Sequence, residues 1–317
     1  MNWGILGYGV IAKDFIESLN VAEGQTLYAI ASRSAGNLSE LFPEVKGYTS
    51  YDELYGDAEI DIIYIATPHN FHFDSVIKSL EHGKHVLCEK PMGISLEQTQ
   101  IMVETSKKTG CFLMEGMWTR YLPAYRKARE IVDEGMIGEI KLIRSDFCVR
   151  KERDDSHRMW NPELAGGSLY DLGVYNIALI NDYFGPNPKK VSVDGGIVDT
   201  GVDEYIAAQL SYSHGGVAQI YSGLNTLSMW EATLYGEKGW IRIEEFFRTK
   251  QIVVHTNNHT QVMPIPMVST GFYHEILEAE RCIKNEWIES PLFSHQSSLD
   301  SARLVDILLK KAKASDA

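Results

Sequence analysis

The feature that most constrains this chain is a glycine-containing turn near its start. The apolar run Trp3-Gly4-Ile5-Leu6 leads into Gly7-Tyr8-Gly9-Val10-Ile11-Ala12, and residues 13–20 follow at helical spacing. In a dinucleotide-binding unit the first glycine permits the tight turn and the second lets a pyrophosphate approach the backbone. The small third residue lets the helix pack closely on the strand. Because the pattern stands after a strand and before a helix, it favours cofactor binding by residues 7–12 over a purely structural turn.

The end of the second predicted strand, residues 27–31, bears on the choice of cofactor. No acidic residue stands at its end, where a carboxylate would bind the ribose of NAD. Ser32-Arg33-Ser34 follows instead and offers a guanidinium and two hydroxyl groups suited to a 2′-phosphate. The sequence therefore favours NADP(H), with NAD(H) possible. The alternative is that Arg33 is a solvated loop residue that stacks on adenine.

The composition is that of a globular protein. The chain has 317 residues, 44% hydrophobic and 23% charged, and this length predicts two domains. Its net charge of -13 and its lack of Lys/Arg-rich runs argue against nucleic acid or an anionic membrane as partner. Four scattered cysteines indicate neither a zinc site nor a disulfide framework. With no membrane-spanning segment and no signal peptide before the first strand, we expect a cytoplasmic location.

The order of predicted elements changes near residue 120. Strands at 2–6, 27–31, 60–66, 85–88 and 111–115 alternate with helices at 11–20, 37–42, 51–55, 70–82 and 95–109. This alternation predicts a Rossmann-like doubly wound parallel sheet over residues 1–119. A helix at 121–134 is followed by strands at 140–147, 190–198, 205–212, 217–221, 231–235, 240–243 and 251–255, and then by helices at 273–285 and 296–312. Residues 120–317 are therefore expected to form an α+β domain with an open, mainly antiparallel sheet.

Two segments carry candidate catalytic chemistry. Strand 85–88 ends in Glu89-Lys90-Pro91, and because ligands bind beyond the carboxyl ends of such strands, we expect Lys90 to reach the nicotinamide, with Glu89 beside it. In isolation, a surface lysine is the commoner explanation. A Gly166-Gly167 turn leads into a helix with Asp171 and Tyr175 on one face. A carboxylate and a phenol near a lysine can relay a proton during hydride transfer, although such a pair is usually an ordinary helix surface.

Two further segments follow strand ends where the nicotinamide half of a cofactor is expected. Thr67-Pro68-His69 and His72 come after the third strand, and Trp118 comes after the fifth. The pairs His69/His72 and His82/His85 lack acidic or thiol partners at suitable spacing, so no metal site is predicted.

Together these residues resemble the glucose-fructose oxidoreductase and inositol dehydrogenase family (Gfo/Idh/MocA). The resemblance covers nearly the whole chain and rests on residues 7–12, Ala66-Thr67-Pro68 with His72, residues 83–91 and the Gly166-Gly167 turn with Asp171 and Tyr175. Ser32-Arg33-Ser34, Leu87-Cys88-Glu89-Lys90-Pro91 and residues 114–121 are similar to the branch of NADP-dependent dihydrodiol and D-xylose dehydrogenases. Many other members carry histidine where Tyr175 stands.

The resemblance implies that Lys90 and Tyr175 are the catalytic pair. Tyr175 is then the general acid/base, Lys90 orients the substrate and favours the phenolate, and Asp171 is an auxiliary proton group. Trp118 and Arg120, with Arg158 and Trp160, are expected to shape the site, unless they serve only in packing.

The expected activity is NADP(H)-dependent hydride transfer to or from a secondary alcohol or anomeric carbon of a sugar, polyol or cyclic trans-diol. A homodimer or homotetramer through the C-terminal sheet is also expected. The alternative is a non-catalytic NADP(H)-binding sensor of the same fold.

Overall fold

The computed structural model describes residues 1–32 and 38–315, which form two compact units. The first unit contains Met1–Trp118 and Val268–Leu299, and the second contains Thr119–Met267 and Asp300–Ala317. The first has a six-stranded parallel sheet and the second an eight-stranded, mainly antiparallel sheet. The predicted α/β fold class is confirmed.

The first unit is built on a doubly wound sheet. Its strands are β1 Asn2–Leu6, β2 Thr26–Ala31, β3 Lys46–Tyr48, β4 Ile62–Ile65, β5 His85–Glu89 and β6 Leu113–Gly116. They lie in the order β3-β2-β1-β4-β5-β6, and every neighbouring pair is parallel. The connections change direction between β1 and β4, and in open parallel sheets ligands bind beyond the carboxyl ends of the strands at such a point.

Helices cover both faces of this sheet. They are α1 Val10–Leu19, α2 Leu38–Leu41, α3 Tyr51–Gly56, α4 His72–Glu81, α5 Leu96–Thr109 and, from the C-terminal part of the chain, α8 Phe272–Lys284. Leu54 of α3, Val76 of α4 and Met102 of α5 enter one hydrophobic core. A separate aromatic pair also packs in this unit, in which Phe15 of α1 stacks on Tyr64 of β4 with ring centroids 3.7 Å apart.

Helix α8 packs beside α1, which explains why residues 268–299 belong to the first unit. Phe272 of α8 lies edge-on to Phe15, with centroids 5.8 Å apart. The predicted division assigned all of residues 120–317 to one C-terminal domain, whereas in the structure this segment returns to the first unit. Periodicity along the chain shows that α8 is amphipathic but does not show which sheet its apolar face covers.

The second unit is built on an open sheet. Its strands are β7 Ile140–Cys148, β8 Lys190–Ile197, β9 Asp203–Ser211, β10 Val217–Gly223, β11 Ala232–Gly236, β12 Gly239–Ile243, β13 Gln251–Thr256 and β14 His259–Pro264. They lie in the order β14-β13-β12-β11-β7-β10-β9-β8, and only β7 and β10 pair in parallel among these strands. The remaining helices are α6 Pro123–Asp133, α7 Val174–Phe184 and α9 His295–Ser315, of which residues 300–315 belong to this unit. A π-helical turn, Leu169–Gly173, leads directly into α7.

Two strands were absent from the sequence prediction. Strand β3 has three residues, Lys-Gly-Tyr, which is too few to show an alternating pattern. Strand β14 lies at the sheet edge with nearly all of its residues exposed, so it lacks the apolar alternation that marks a half-buried strand.

Candidate active site

The β1–α1 turn has the geometry that a dinucleotide requires. Gly7 has φ +94° and donates its backbone N–H to the Ala31 carbonyl at 2.9 Å. A Cβ at Gly7 would lie 2.8 Å from the Ala66 carbonyl oxygen, so a side chain would clash with the backbone.

The N-terminus of α1 is open beyond this turn. No described atom lies within 4 Å of the position of a Cβ at Gly9, and no side chain among the described residues caps the helix there. Val10 is exposed, whereas Ala12 is fully buried against the sheet. The first amides of α1 are therefore available to a pyrophosphate, which fits a bound dinucleotide.

The segment after β2 is only partly described. Ser32 is buried, and its backbone N–H donates to the Tyr48 carbonyl at 3.1 Å. Arg33 and Ser34, the residues that favour NADP(H) in the sequence, lie outside the described residues. Their contact with a 2′-phosphate stays a prediction.

Thr67, Pro68 and His69 follow β4 at the carboxyl edge of the sheet. Thr67 is buried, and its hydroxyl oxygen has no hydrogen-bond partner in residues 1–32 and 38–315. A buried hydroxyl of this kind needs a partner that a protein chain alone does not supply, such as water or a ligand. The Thr67 hydroxyl is therefore a polar group of the kind that the predicted cofactor role of this loop requires.

His72 occupies a different place from the one predicted. Its side chain is fully buried, with Nδ1 2.9 Å from the Pro91 carbonyl oxygen and Nε2 2.9 Å from the Thr67 carbonyl oxygen. Burial lowers the pKa of His72, whereas the hydrogen bonds to the Pro91 and Thr67 carbonyl groups act to raise it. The imidazole joins two loops and presents no free ring nitrogen to a cofactor. Sequence spacing could not show that this side chain turns inward.

Lys90 follows the last residue of β5, and its charge acts on two buried carboxyl groups, those of Glu89 and Glu115. Glu89 accepts a hydrogen bond from the Tyr64 hydroxyl at 2.5 Å and one from the Lys90 backbone N–H at 3.3 Å. Burial raises the pKa of Glu89, and the nearby Lys90 charge acts in the opposite direction. Glu115 accepts from the Met92 backbone N–H at 3.1 Å, and burial raises its pKa too.

Glu275 of α8 is the third buried carboxyl group and was not singled out in the sequence. It is 0% exposed, and neither carboxyl oxygen has a hydrogen-bond partner in the part of the chain that the structure describes. Burial, reinforced by Glu89, raises its pKa well above the usual value. The available signal was its spacing, since Glu275 stands three residues after Phe272 and next to Ile276 in the buried stripe of α8.

Trp118 ends the N-terminal segment of the first unit. Its ring stacks on that of Phe272, with centroids 4.6 Å apart, and the side chain is 9% exposed. Arg120, in the second unit, forms an ion pair with Asp182 at 2.7 Å. Asp182 also accepts from the Tyr125 hydroxyl at 2.9 Å, so Arg120 belongs to a local packing network.

In the second unit, Asp171 and Tyr175 lie on one continuous helical segment. Asp171 is on the π-helical turn, 3.0 Å from Arg158 Nη1, and Tyr175 is in the first turn of α7. The buried Tyr175 ring lies against Phe147 and Phe247, with centroids 5.6 and 5.8 Å away. The structure thus brings together Asp171 and Arg158 as an ion pair and fixes the Tyr175 ring between aromatic neighbours.

Two classes of feature are not found in the described residues. No group of three or more His, Cys, Asp or Glu side chains there could hold a metal ion. Within the same ranges, no helix has the length and apolar character needed to cross a membrane.

Comparison with known proteins agrees with this architecture. The sequence model of the oxidoreductase family with an NAD-binding Rossmann fold (GFO_IDH_MocA) matches residues 1–117, and that of the GFO/IDH/MocA C-terminal domain matches residues 125–242. A trans-1,2-dihydrobenzene-1,2-diol dehydrogenase of Xenopus tropicalis is 33% identical, covering 98% of this chain and 97% of its own. A D-xylose 1-dehydrogenase (NADP(+)) of Hypocrea jecorina is 32% identical, covering 94% of this chain and 88% of its own.

A solved structure shows the same fold. The aldose-aldose oxidoreductase of Caulobacter crescentus superposes with a TM-score of 0.89 at 23% identity, covering 99% of this chain and 98% of its own. Since both sequence models match and relatives more than 30% identical extend over almost the entire length, the chain belongs to the GFO/IDH/MocA oxidoreductase family.

Proposed function

We propose that this protein is an NADP(H)-dependent oxidoreductase. It transfers a hydride between nicotinamide and a secondary alcohol or anomeric carbon of a sugar, polyol or cyclic trans-diol. The observation that carries the proposal is the open N-terminus of α1 at the Gly7–Gly9 turn, in a chain related over nearly all of its length to dehydrogenases. The names of the two relatives support a cyclic diol or an aldose as substrate and NADP as cofactor.

Residues of the first unit are proposed to hold the cofactor. Residues 7–12 bind the pyrophosphate, Ser32-Arg33-Ser34 the 2′-phosphate, and residues 67–69 with Trp118 the nicotinamide half. The bound cofactor supplies the hydride chemistry. His72 contributes by fixing the Thr67 carbonyl and the Pro91 carbonyl on either side of its ring.

The proton is proposed to move at the Tyr175 phenol oxygen. As the phenolate, Tyr175 takes the hydroxyl proton of the substrate during oxidation, and as the phenol it returns the proton during reduction. Lys90 orients the substrate oxygen and stabilises the negative charge that develops on it. The Phe147 and Phe247 rings restrict the orientation of the Tyr175 ring, and the ion pair with Arg158 restricts Asp171, an auxiliary proton group.

A substitution at Tyr175 tests this function. Tyr175→Phe is expected to lower kcat by roughly 10²-fold, as the loss of a general acid/base does, while the Kd for NADPH stays nearly unchanged. Tyr183→Phe is the matched control, because it removes a buried hydroxyl from the same helix, one that has no hydrogen-bond partner among the described residues.

The assay is the rise of reduced-nicotinamide absorbance with NADP+ and a panel of aldoses, inositols and cyclic trans-diols. Equal loss of kcat in Tyr175→Phe and Tyr183→Phe would contradict the assignment of the proton to Tyr175. Tight NADPH binding by the wild type without turnover of any panel member would favour a sensor.

We further propose a homodimer or homotetramer that assembles through the sheet of the second unit and acts in the cytoplasm. Residues 1–119 bind the cofactor in this proposal, and residues 120–317, apart from the segment 268–299 that belongs to the first unit, bind the substrate and the partner subunit. All four cysteines are buried free thiols, which supports a reducing compartment. Sedimentation equilibrium measures the assembly state.

A further inference from the structure

A carboxylate from a neighbouring strand lies at the start of the helical segment that carries Asp171 and Tyr175. Asp203 is the first residue of β9 and is 3% exposed. Its Oδ2 accepts a hydrogen bond from the Leu169 backbone N–H at 2.7 Å and another from the Ser168 hydroxyl at 2.8 Å. The carboxylate therefore satisfies a backbone N–H of the first turn, which has no carbonyl acceptor earlier in the helix.

The Gly166-Gly167 turn is shaped around this carboxylate. Gly167 has φ +132°, and a Cβ there would overlap Oδ1 of Asp203. Any side chain at position 167 would thus be strained by its backbone and would also displace the carboxylate. The second glycine of the motif makes room for Asp203.

A second strand supports the same contact. Ser168 Oγ lies 3.1 Å from Ser222 Oγ of β10, so Ser168 is held between Asp203 and Ser222. The Asp171 backbone N–H donates to the Gly167 carbonyl at 3.2 Å. These bonds link Asp203 to the turn that contains Asp171, four residues before Tyr175.

Burying the Asp203 carboxylate makes an unfavourable contribution to the free energy of folding. Burial raises its pKa to about 6, although the bonds from Ser168 and Leu169 act to lower it. The charged or titratable groups that act on it from neighbouring elements are Lys313 of α9 and Tyr170 of the π-helical turn. A neutral amide could accept the Leu169 N–H without burying a charge, so stability alone gives no reason for a carboxylate here.

We propose that Asp203 is a positioning residue for the reaction, whose carboxylate fixes the start of the helical segment and thereby the placement of Asp171 and Tyr175. This inference rests on the proposed function. Three features act together in it, namely the two bonds to Oδ2, the space left by Gly167 and the support from Ser222.

Asp203→Asn separates positioning from stability. The amide keeps an oxygen for the Leu169 N–H but loses the charge, so we expect kcat near pH 8 to fall roughly 10-fold, with a melting temperature equal to or above that of the wild type. The wild-type kcat is expected to decline on acidification through pH about 6, and this limb is expected to be missing in Asp203→Asn. The KM for NADP+ should change by less than about 2-fold, because the cofactor-binding residues are untouched.

Two further variants serve as controls. Asp194→Asn removes the same charge from an exposed position on the adjacent strand β8 and should leave kcat unchanged. Ser168→Ala keeps the carboxylate and removes one of its two bonds, so a smaller loss, about 3-fold, is expected. An unchanged kcat in Asp203→Asn, or a kcat that falls only together with the melting temperature, would overturn the proposal.

A spectroscopic readout makes the test independent of turnover. In protein labelled with ¹⁵N-leucine, the Leu169 amide resonance should titrate with a midpoint near pH 6 in the wild type and should not titrate in Asp203→Asn. If the wild type turns over no panel substrate, the proposed function fails while this titration still tests the contact. A Leu169 amide that does not titrate in the wild type would refute the positioning role.

Discussion

Replacing Glu275 by methionine should stabilise the first unit, and the gain should grow with pH. Glu275 is fully buried, and neither of its carboxyl oxygens has a hydrogen-bond partner in the described residues. Leaving a buried polar group without a partner costs about 1–3 kcal/mol, and methionine has a similar volume and no polar atom to satisfy. The expected increase in melting temperature is about 2–4 °C for each kcal/mol gained.

The pH dependence follows from the raised pKa of Glu275. The unfolded chain releases the Glu275 proton near pH 4.3, roughly the model-peptide value, whereas the folded protein keeps it to a higher pH. Between these two pKa values the folded state binds more protons, so wild-type stability falls as pH rises, by up to about 1.4 kcal/mol per pH unit. Glu275→Met removes this loss, so its advantage should widen as pH rises above 4.3 and stay constant once pH exceeds the folded pKa.

The measurement is thermal and urea unfolding of both proteins at pH values from about 4 to 9, the range over which a raised carboxyl pKa acts. Glu104→Met is the matched control, since Glu104 is exposed on α5 and no buried carboxyl is removed. A difference between Glu275→Met and the wild type that does not vary with pH would refute the argument. A loss of stability at pH 8 would show that Glu275 has a polar partner, such as a water molecule.

Two other predictions concern the cofactor. Gly9→Ala should leave the melting temperature nearly unchanged, because a Cβ there meets no described atom within 4 Å. It should raise the Kd for NADPH by about 10-fold or more, because the added methyl group obstructs the pyrophosphate. Calorimetric titration measures this Kd, and an unchanged value would place the phosphates elsewhere. Arg33→Ala should weaken NADP+ much more than NAD+, because the guanidinium is expected to contact only the 2′-phosphate; equal weakening of both would assign Arg33 to adenine or to the loop.

The parts of this molecule that the sequence predicted depend on neighbours along the chain. The turn at residues 7–12 is local, because the strand, the two glycines and the helix are consecutive, and its geometry agrees with the prediction. The turns at 213–216 and 236–239 are local too, and each joins two consecutive predicted strands as an antiparallel pair. Because the interacting residues are close together in the sequence, such features can be recognised without knowledge of the fold.

The parts that the sequence missed depend on distant residues. His72 was predicted to face a cofactor, but the orientation of its ring is set by carbonyl groups at Thr67 and Pro91, which only the folded sheet brings to both sides. Asp203 stands in a segment without a recognisable motif, and its role follows from its contact with Leu169, 34 residues away. The hydrophobic periodicity of a sequence does not reveal a contact between residues so far apart along the chain.

Buried carboxyl groups contact both segments that carry the candidate catalytic residues, Lys90 and Tyr175, although burying a carboxyl group disfavours folding. Glu89 and Glu275 lie buried in the first unit, where Glu89 bonds the Lys90 backbone, and Asp203 lies buried beneath the helix of Tyr175. Burial raises the pKa of each of these three carboxyl groups, so each makes the folded state less stable as pH rises. Stability given up next to reacting groups is typical of sites that need fixed charges or protons at defined positions. Neutral replacements at Glu275 and Asp203 should therefore share one signature, a protein no less stable than the wild type above neutral pH, and only Asp203→Asn should also lose the acid limb of kcat near pH 6.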